Sequence, residues 1–174
     1  LIKESDAVIW RGPMLARALQ QFIEEIEWGA LDYLVVDLPP GTGDVQLSLT
    51  QLIPLTGAVI VTTPQDVAFA DVRRAVRMFE ATKTPLLGIL ENMSHYVCSE
   101  TGKHHYIFGM GRTGEKASEL GVPFLGSLPI DERISPRADK GEPIVIAEPE
   151  SEVAAKYREI ARLTAARQSV LAAG

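Results

Sequence analysis

The stretch Asp32-Tyr33-Leu34-Val35-Val36-Asp37-Leu38-Pro39-Pro40-Gly41-Thr42-Gly43-Asp44 decides the fold. Tyr33 to Val36 is a short continuous apolar run, the pattern of a strand buried on both faces. It ends in a carboxylate and a Pro-Pro-Gly turn. A buried strand that delivers Asp37 to its tip has the pattern of a Walker B or switch II segment, where the carboxylate can hold magnesium directly or through water. Gly41 can place a backbone N–H near a terminal phosphate, because glycine tolerates backbone angles that other residues avoid. Asp44 can then orient water or a partner group. The plain alternative is an aspartate capping a loop at a strand end, and the residues alone leave both open.

Working outward, the same alternation of apolar strand and amphipathic helix recurs. Upstream, residues 13–28 place Met14, Leu15, Ala18, Leu19, Phe22, Ile23 and Ile26 at the spacing of one buried helix face, with Pro13 at its start and Gly29 at its stop. Downstream, Asp44 is expected to cap a helix through about Ile53, where Pro54 stops it. Ala58 to Val61 reads as a strand, followed by a helix with Phe69, Val72, Val76 and Phe79 inward. Leu86 to Leu90 reads as a third strand, ending in Glu91-Asn92. Residues 93–110 are irregular, with a small hairpin around Gly102. A helix over roughly 113–120 leads to a strand Phe124 to Leu128, and Pro129-Ile130-Asp131 begins a short helix. Ile144-Val145-Ile146 reads as a short edge strand. Ser151 is expected to cap a terminal helix with Val153, Tyr157 and Ile160 on one face.

This order predicts an α/β domain with a mostly parallel sheet flanked by helices. Such sheets bind ligands beyond the carboxyl ends of their strands. Asp37, Asn92 and the Pro129–Asp131 turn are therefore expected along one edge. The 174 residues suffice for one domain with a sizeable core, and 46% hydrophobic with 23% charged is a globular composition. Seventeen basic side chains against 23 acidic ones give a net charge of −6. That argues against sequence-independent nucleic-acid binding and against docking on anionic lipid, both of which need a basic surface. No apolar stretch reaches bilayer length. A single cysteine excludes an internal disulfide framework and fits a reduced compartment, the cytoplasm.

Other motifs carry less. G-x-x-x-x-G-K-[ST] is absent: the one Gly-Lys pair, Gly102-Lys103, is followed by His104. Gly109-x-Gly111-x-x-Gly114 matches the dinucleotide pattern but follows no clear buried strand, and reads as a flexible glycine loop leading into a helix. Cys98 stands near His95, His104 and His105, all natural metal ligands, yet without the spacing of a four-ligand site. It reads as a surface hairpin, or as half of a metal site shared by two subunits. Arg73, Arg74 and Arg77 read as a solvated helix face. The chain opens on Leu1-Ile2-Lys3, as though inside a longer protein, and a preceding segment is expected.

The segments Val8-Ile9-Trp10-Arg11-Gly12-Pro13-Met14, Asp32 to Asp44, Glu91-Asn92-Met93-Ser94 and Tyr106-Ile107-Phe108-Gly109 closely resemble the Mrp/Nbp35 family, from about residue 8 to residue 165. These are P-loop ATPases of the MinD/ParA group that act as iron–sulfur cluster carriers. The resemblance implies a single MinD-like P-loop NTPase domain over residues 1–174, incomplete at its N-terminus, with a metal-hairpin insertion at 93–110. It implies that Asp37 is the Walker B carboxylate on magnesium, that Asp37 and Asp44 serve catalysis, and that Gly41 is the switch glycine. Asn92 then meets adenine, and Pro129 with Asp131 lines the base. Cys98 matches the first cysteine of a C-x-x-C that holds a [4Fe–4S] cluster between the two chains of a homodimer. Thr101 occupies the second position, which leaves two thiols per dimer where such a cluster takes four. ATP, magnesium and a cluster are the implied ligands, and apo iron–sulfur proteins the recipients, with no nucleic acid or membrane partner. Lacking its P-loop, the chain as given is expected not to hydrolyse ATP. An unpaired apolar strand at Tyr33–Val36 further implies a marginally stable or poorly soluble chain. Two rivals remain: a MinD/ParA-type positioning ATPase without a cluster, and a non-catalytic metal-binding dimerisation module.

Overall fold

The computed structural model describes residues 12–38, 43–53 and 55–172. The chain divides into two compact units, residues 1–55 and 56–174.

In the first unit, α1 (Gly12–Glu25) packs against α2 (Asp44–Leu52). The expected helix is present but ends at Glu25, three residues before the expected end at 28, and Gly29 lies beyond it with φ 71°. Its expected apolar face is only partly covered, for Phe22 and Ile26 are exposed. Among the described residues no strand lies in this unit to cover them. The Trp28 indole N–H instead donates to the carbonyl of Phe22 at 3.0 Å. In α2, Leu49 is buried. The cap falls one residue earlier than expected: Gly43 is the N-cap, and Asp44 is the first helical residue. The helix ends at Leu52 with Ile53 as its cap. Pro54 lies outside the described residues.

The strand expected at Tyr33–Val36 is not formed. The stretch belongs to no ladder, and Val35 is 88% exposed. An apolar run becomes a strand only where a neighbour takes its backbone hydrogen bonds, and no described strand pairs with it.

The second unit holds a parallel sheet of order β1-β2-β5, built from β1 (Ala58–Thr62), β2 (Leu86–Glu91) and β5 (Phe124–Ser127). Between β1 and β2 runs α3 (Asp66–Ala81), whose buried residues are the four expected from periodicity: Phe69, Val72, Val76 and Phe79. They pack with Ile60, Ile89, Ala117 and Val122 into the core. Gly88, inside β2, lets the chain before β5 approach closely. A Cβ there would lie 2.5 Å from Leu125 Cγ and 2.8 Å from the Pro123 carbonyl oxygen.

Residues 93–112 form an insertion carrying a two-stranded antiparallel hairpin, β3 (Tyr96–Val97) with β4 (His104–His105). It turns at Gly102, whose φ is 66°. Then come α4 (Thr113–Glu119), α5 (Ile134–Ala138), α6 (Ile144–Ala147) and α7 (Glu152–Ala172). The short helix after Pro129 begins at Ile134, three residues beyond Asp131. The expected edge strand Ile144–Ile146 is instead the helical turn α6. Its cause is local. Pro143 sits at the N-cap, the turn buries Ile144, and Ile146 points to solvent at 75% exposure. The Ser151 hydroxyl accepts the Ala154 backbone N–H at 3.3 Å, as expected of a cap. α7 packs on β2 and β5, with Ile160 3.5 Å from where a Cβ of Gly126 would stand.

Candidate nucleotide edge and cysteine hairpin

Parallel strands end on the same side of their sheet, so the carboxyl tips of β1, β2 and β5 form one edge. Backbone bonds stitch the tips together. Asn92 N–H donates to Thr62 O at 2.7 Å, and Leu128 N–H donates to Glu91 O at 2.8 Å. Asn92 and Pro129 therefore follow directly on adjacent, bonded strands, as the sequence implied. The Asn92 side-chain oxygen accepts the Met93 backbone N–H at 2.9 Å. Met93 is held at φ 56°, a left-handed conformation uncommon for a side chain of this kind. That turn steers the chain out of the sheet and leaves the half-buried Asn92 amide N–H groups at the edge.

Asp131 lies on the same turn as Pro129, but its carboxylate is already engaged. One oxygen accepts the Arg133 backbone N–H at 2.9 Å and Nε–H at 2.8 Å, and the other accepts from Nη2. The Arg133 side-chain bond is the main reason its carboxyl is held below the usual range. Arg133 also reaches Glu148 at 2.6 Å, and Arg137 pairs with the other Glu148 oxygen. The network ties the turn after β5 to the turn before α7.

The Cys98 hairpin springs from this edge. Ser94 is buried, its N–H donating to Leu128 O at 2.9 Å and its hydroxyl donating to the same oxygen at 3.0 Å. The same hydroxyl lies 2.9 Å from His95 Nδ1, within hydrogen-bond distance. Burial, then His104 and Lys156, depress the proton affinity of His95, and Glu91 partly opposes them. The His95 ring stacks on His104 with centroids 4.5 Å apart. Ile130 N–H donates to His95 O at 2.7 Å, adding a second tie to the Pro129 turn.

Cys98 heads the turn. Its N–H donates to Lys103 O at 3.0 Å, and its carbonyl accepts from Gly102 N–H at 2.8 Å. The Thr101 hydroxyl, then the N–H groups of Thr101 and Glu100, hydrogen-bond the sulfur and hold the thiol below its ordinary pKa. Thr101, the departure from C-x-x-C, thus serves the first sulfur. Among the described residues no three His, Cys, Asp or Glu side chains are grouped to hold a metal ion.

The remaining site residues lie in the first unit. Asp37 is exposed, lies on an irregular stretch rather than at the end of a strand, and among the described residues pairs with no cation. Gly41 and the side chain of Asp44 lie outside the described residues. Sequence reasoning missed the roles of Ser94, Thr101 and the buried pair Glu91 and Thr113. Only Thr101 carried a signal, as the odd residue in a metal-ligand spacing. No described helix is long and apolar enough to cross a membrane.

The parallel sheet with flanking helices has MinD-like P-loop NTPases as its structural neighbours. The Pyrococcus furiosus cell division ATPase MinD is similar in fold alone, with a TM-score of 0.62 at 20% identity, over 90% of this chain and 62% of that one. An Archaeoglobus fulgidus nucleotide-binding protein in complex with ADP is also similar in sequence: TM-score 0.69 and 40% identity, over 80% of this chain and 56% of that one. The ParA family model, described as NUBPL iron-transfer P-loop NTPase, matches residues 1–165, and the chain belongs to that family. It is 53% identical to an iron-sulfur cluster carrier protein of Aquifex aeolicus, over 94% of this chain and 45% of the relative. It is 47% identical to the iron-sulfur cluster transfer protein NUBPL of Dictyostelium discoideum, over 93% of this chain and 50% of the relative. The chain spans about half the length of the curated relatives it matches.

Proposed function

We propose that this chain is the base-binding and cluster-handling portion of an ATP-dependent iron–sulfur cluster carrier that works as a cytoplasmic homodimer and delivers clusters to apoproteins. One observation carries the reading: a single thiol, stabilised as thiolate by Thr101 and two backbone N–H groups, sits on a hairpin rooted between the strand tips of Asn92 and Pro129. The base of ATP would lie against Asn92 and Pro129, with Asp131 buttressing the turn through Arg133. The exposed Asp37 carboxylate is a hard oxygen donor that suits magnesium, which would draw charge from the phosphates; Gly41 and Asp44 complete that switch segment. Cys98 gives one thiolate per chain, and a pair of chains gives two. A [4Fe–4S] cargo held by fewer than four thiolates keeps coordination positions open to the cysteines of an acceptor protein, which suits transfer over storage. The test is anaerobic reconstitution of the chain with iron and sulfide. A broad visible absorbance that disappears in Cys98→Ala is expected. Equal absorbance in the variant overturns the reading, and no absorbance in either favours the positioning ATPase.

A further inference from the structure

The Cys98 insertion leaves the sheet at Met93 and ends where α4 begins at Thr113, and both ends are fastened. At the return end, the Thr113 hydroxyl, 2% exposed, donates to Oε2 of Glu91, 7% exposed, the last residue of β2. Two residues before Thr113, Gly111 passes so close that a Cβ would overlap that carboxylate oxygen and lie 2.8 Å from Pro64 Cβ. The glycine of the G-x-G-x-x-G run is thus a wedge under the strand tips rather than a flexible joint. At the outgoing end, Ser94 and His95 hold Leu128 and Ile130. The field of Glu91 also reaches His95, so one carboxylate bears on both ends.

A buried carboxylate bonded to a hydroxyl is a costly way to fill space, since apolar groups of the same shape serve as well or better. What the pair adds is a directional bond across 22 residues of chain. Glu91 also adjoins Asn92, so the bond ends on the strand that presents the base-binding amide.

We propose that Glu91 and Thr113 are positioning residues for the Cys98 hairpin: their bond, with Gly111 wedged beside it, clamps the returning leg of the insertion to the tip of β2 and sets how openly the thiolate is presented. This rests on the carrier reading only for the use to which Cys98 is put; the clamp is a property of the chain itself. Thr113→Val removes the donor and keeps the shape, whereas Thr113→Ser keeps the hydroxyl. Two readouts are hydrogen exchange at the Cys98 and Gly102 amides and the rate of Cys98 alkylation by iodoacetamide. In Thr113→Val, exchange at those amides is expected to accelerate roughly 10- to 100-fold, the scale of one lost charge-assisted bond. Alkylation accelerates with it, amides of β1, β2 and α3 keep their protection, and Thr113→Ser behaves as wild type. Wild-type exchange in Thr113→Val, or acceleration spread equally over the sheet, overturns the proposal. If Thr113→Val does not fold, Glu91→Gln keeps an acceptor without the charge and is expected to give a smaller rise, about threefold; no rise overturns the clamp. Failure to take up iron and sulfide alongside the expected exchange pattern would sink the carrier reading and leave the clamp standing.

Discussion

A thiol attacks or ligates only as its thiolate, so the groups around a cysteine sulfur decide what it does. At Cys98 the largest of these is the Thr101 hydroxyl, ahead of the two backbone N–H groups. Bonds made to the charged form lower the pKa. Thr101→Val deletes the first of them and therefore raises it. Near neutral pH the alkylation rate follows the thiolate fraction, so the variant reacts more slowly with iodoacetamide. Its pH–rate curve shifts to higher pH, and the two proteins converge once both thiols are ionised. Superimposable curves would remove Thr101 from the account. The departure from C-x-x-C is visible in the sequence, yet the use made of the hydroxyl depends on how the turn folds it back onto residue 98. Asp131 teaches the same lesson. Its place in the chain marked it for the base-lining turn, and only side-chain geometry shows both its oxygens occupied by Arg133.

At the scale of elements, α3 is the part most firmly specified by its residues. Its four inward side chains recur at helical spacing and meet the core strands Ile60 and Ile89 belong to. Phe79→Ala should cost about 3–5 kcal/mol of stability, the range for emptying a buried aromatic site. Ser151→Ala, which removes the cap of α7 together with the hydroxyl's bond to the Glu148 carbonyl, should cost about 1 kcal/mol. Urea unfolding of both variants checks the ordering, and a cap variant as damaged as the core variant would contradict it. The long helix α3 is legible because burial recurs along its length, whereas α7 is legible at its Ser151 cap and buries only Val153 and Ala154 in its first turn. Elements that rest on a partner are not. Tyr33–Val36 has strand composition and no ladder, and Ile144–Ile146 has strand composition but curls behind Pro143. The bond between Thr113 and Glu91 joins residues from two separate motifs, and no local pattern announces it. The edge itself was legible in part: the placement of Asn92 beside Pro129 follows from parallel strand order alone.

At the scale of the whole chain, each unit exposes strand-forming apolar residues. In the first, Leu31, Tyr33, Leu34 and Val35 are all exposed on an irregular stretch outside any ladder. In the second, β1 is bonded on one side only among the described strands, and its Val59 and Val61 face solvent. Uncharged, β-prone segments with free backbone groups pair readily with other chains. Asp32 and Asp37 bracket the first segment, and the net charge of −6 opposes association, but neither places a charge inside Tyr33–Val36. The isolated chain should therefore self-associate as its concentration rises. Lysines at the two most exposed positions supply that missing charge: Val35→Lys in one segment and Val61→Lys in the other. Because both side chains already face water, each substitution should change stability by no more than about 0.5 kcal/mol. Light scattering against concentration is the measurement, with the double variant expected to stay monodisperse where the parent grows. Should both scatter alike, association would have to run through another surface, and the exposed apolar side chains of the Cys98 insertion, Ile107 and Met110, would be the next to charge.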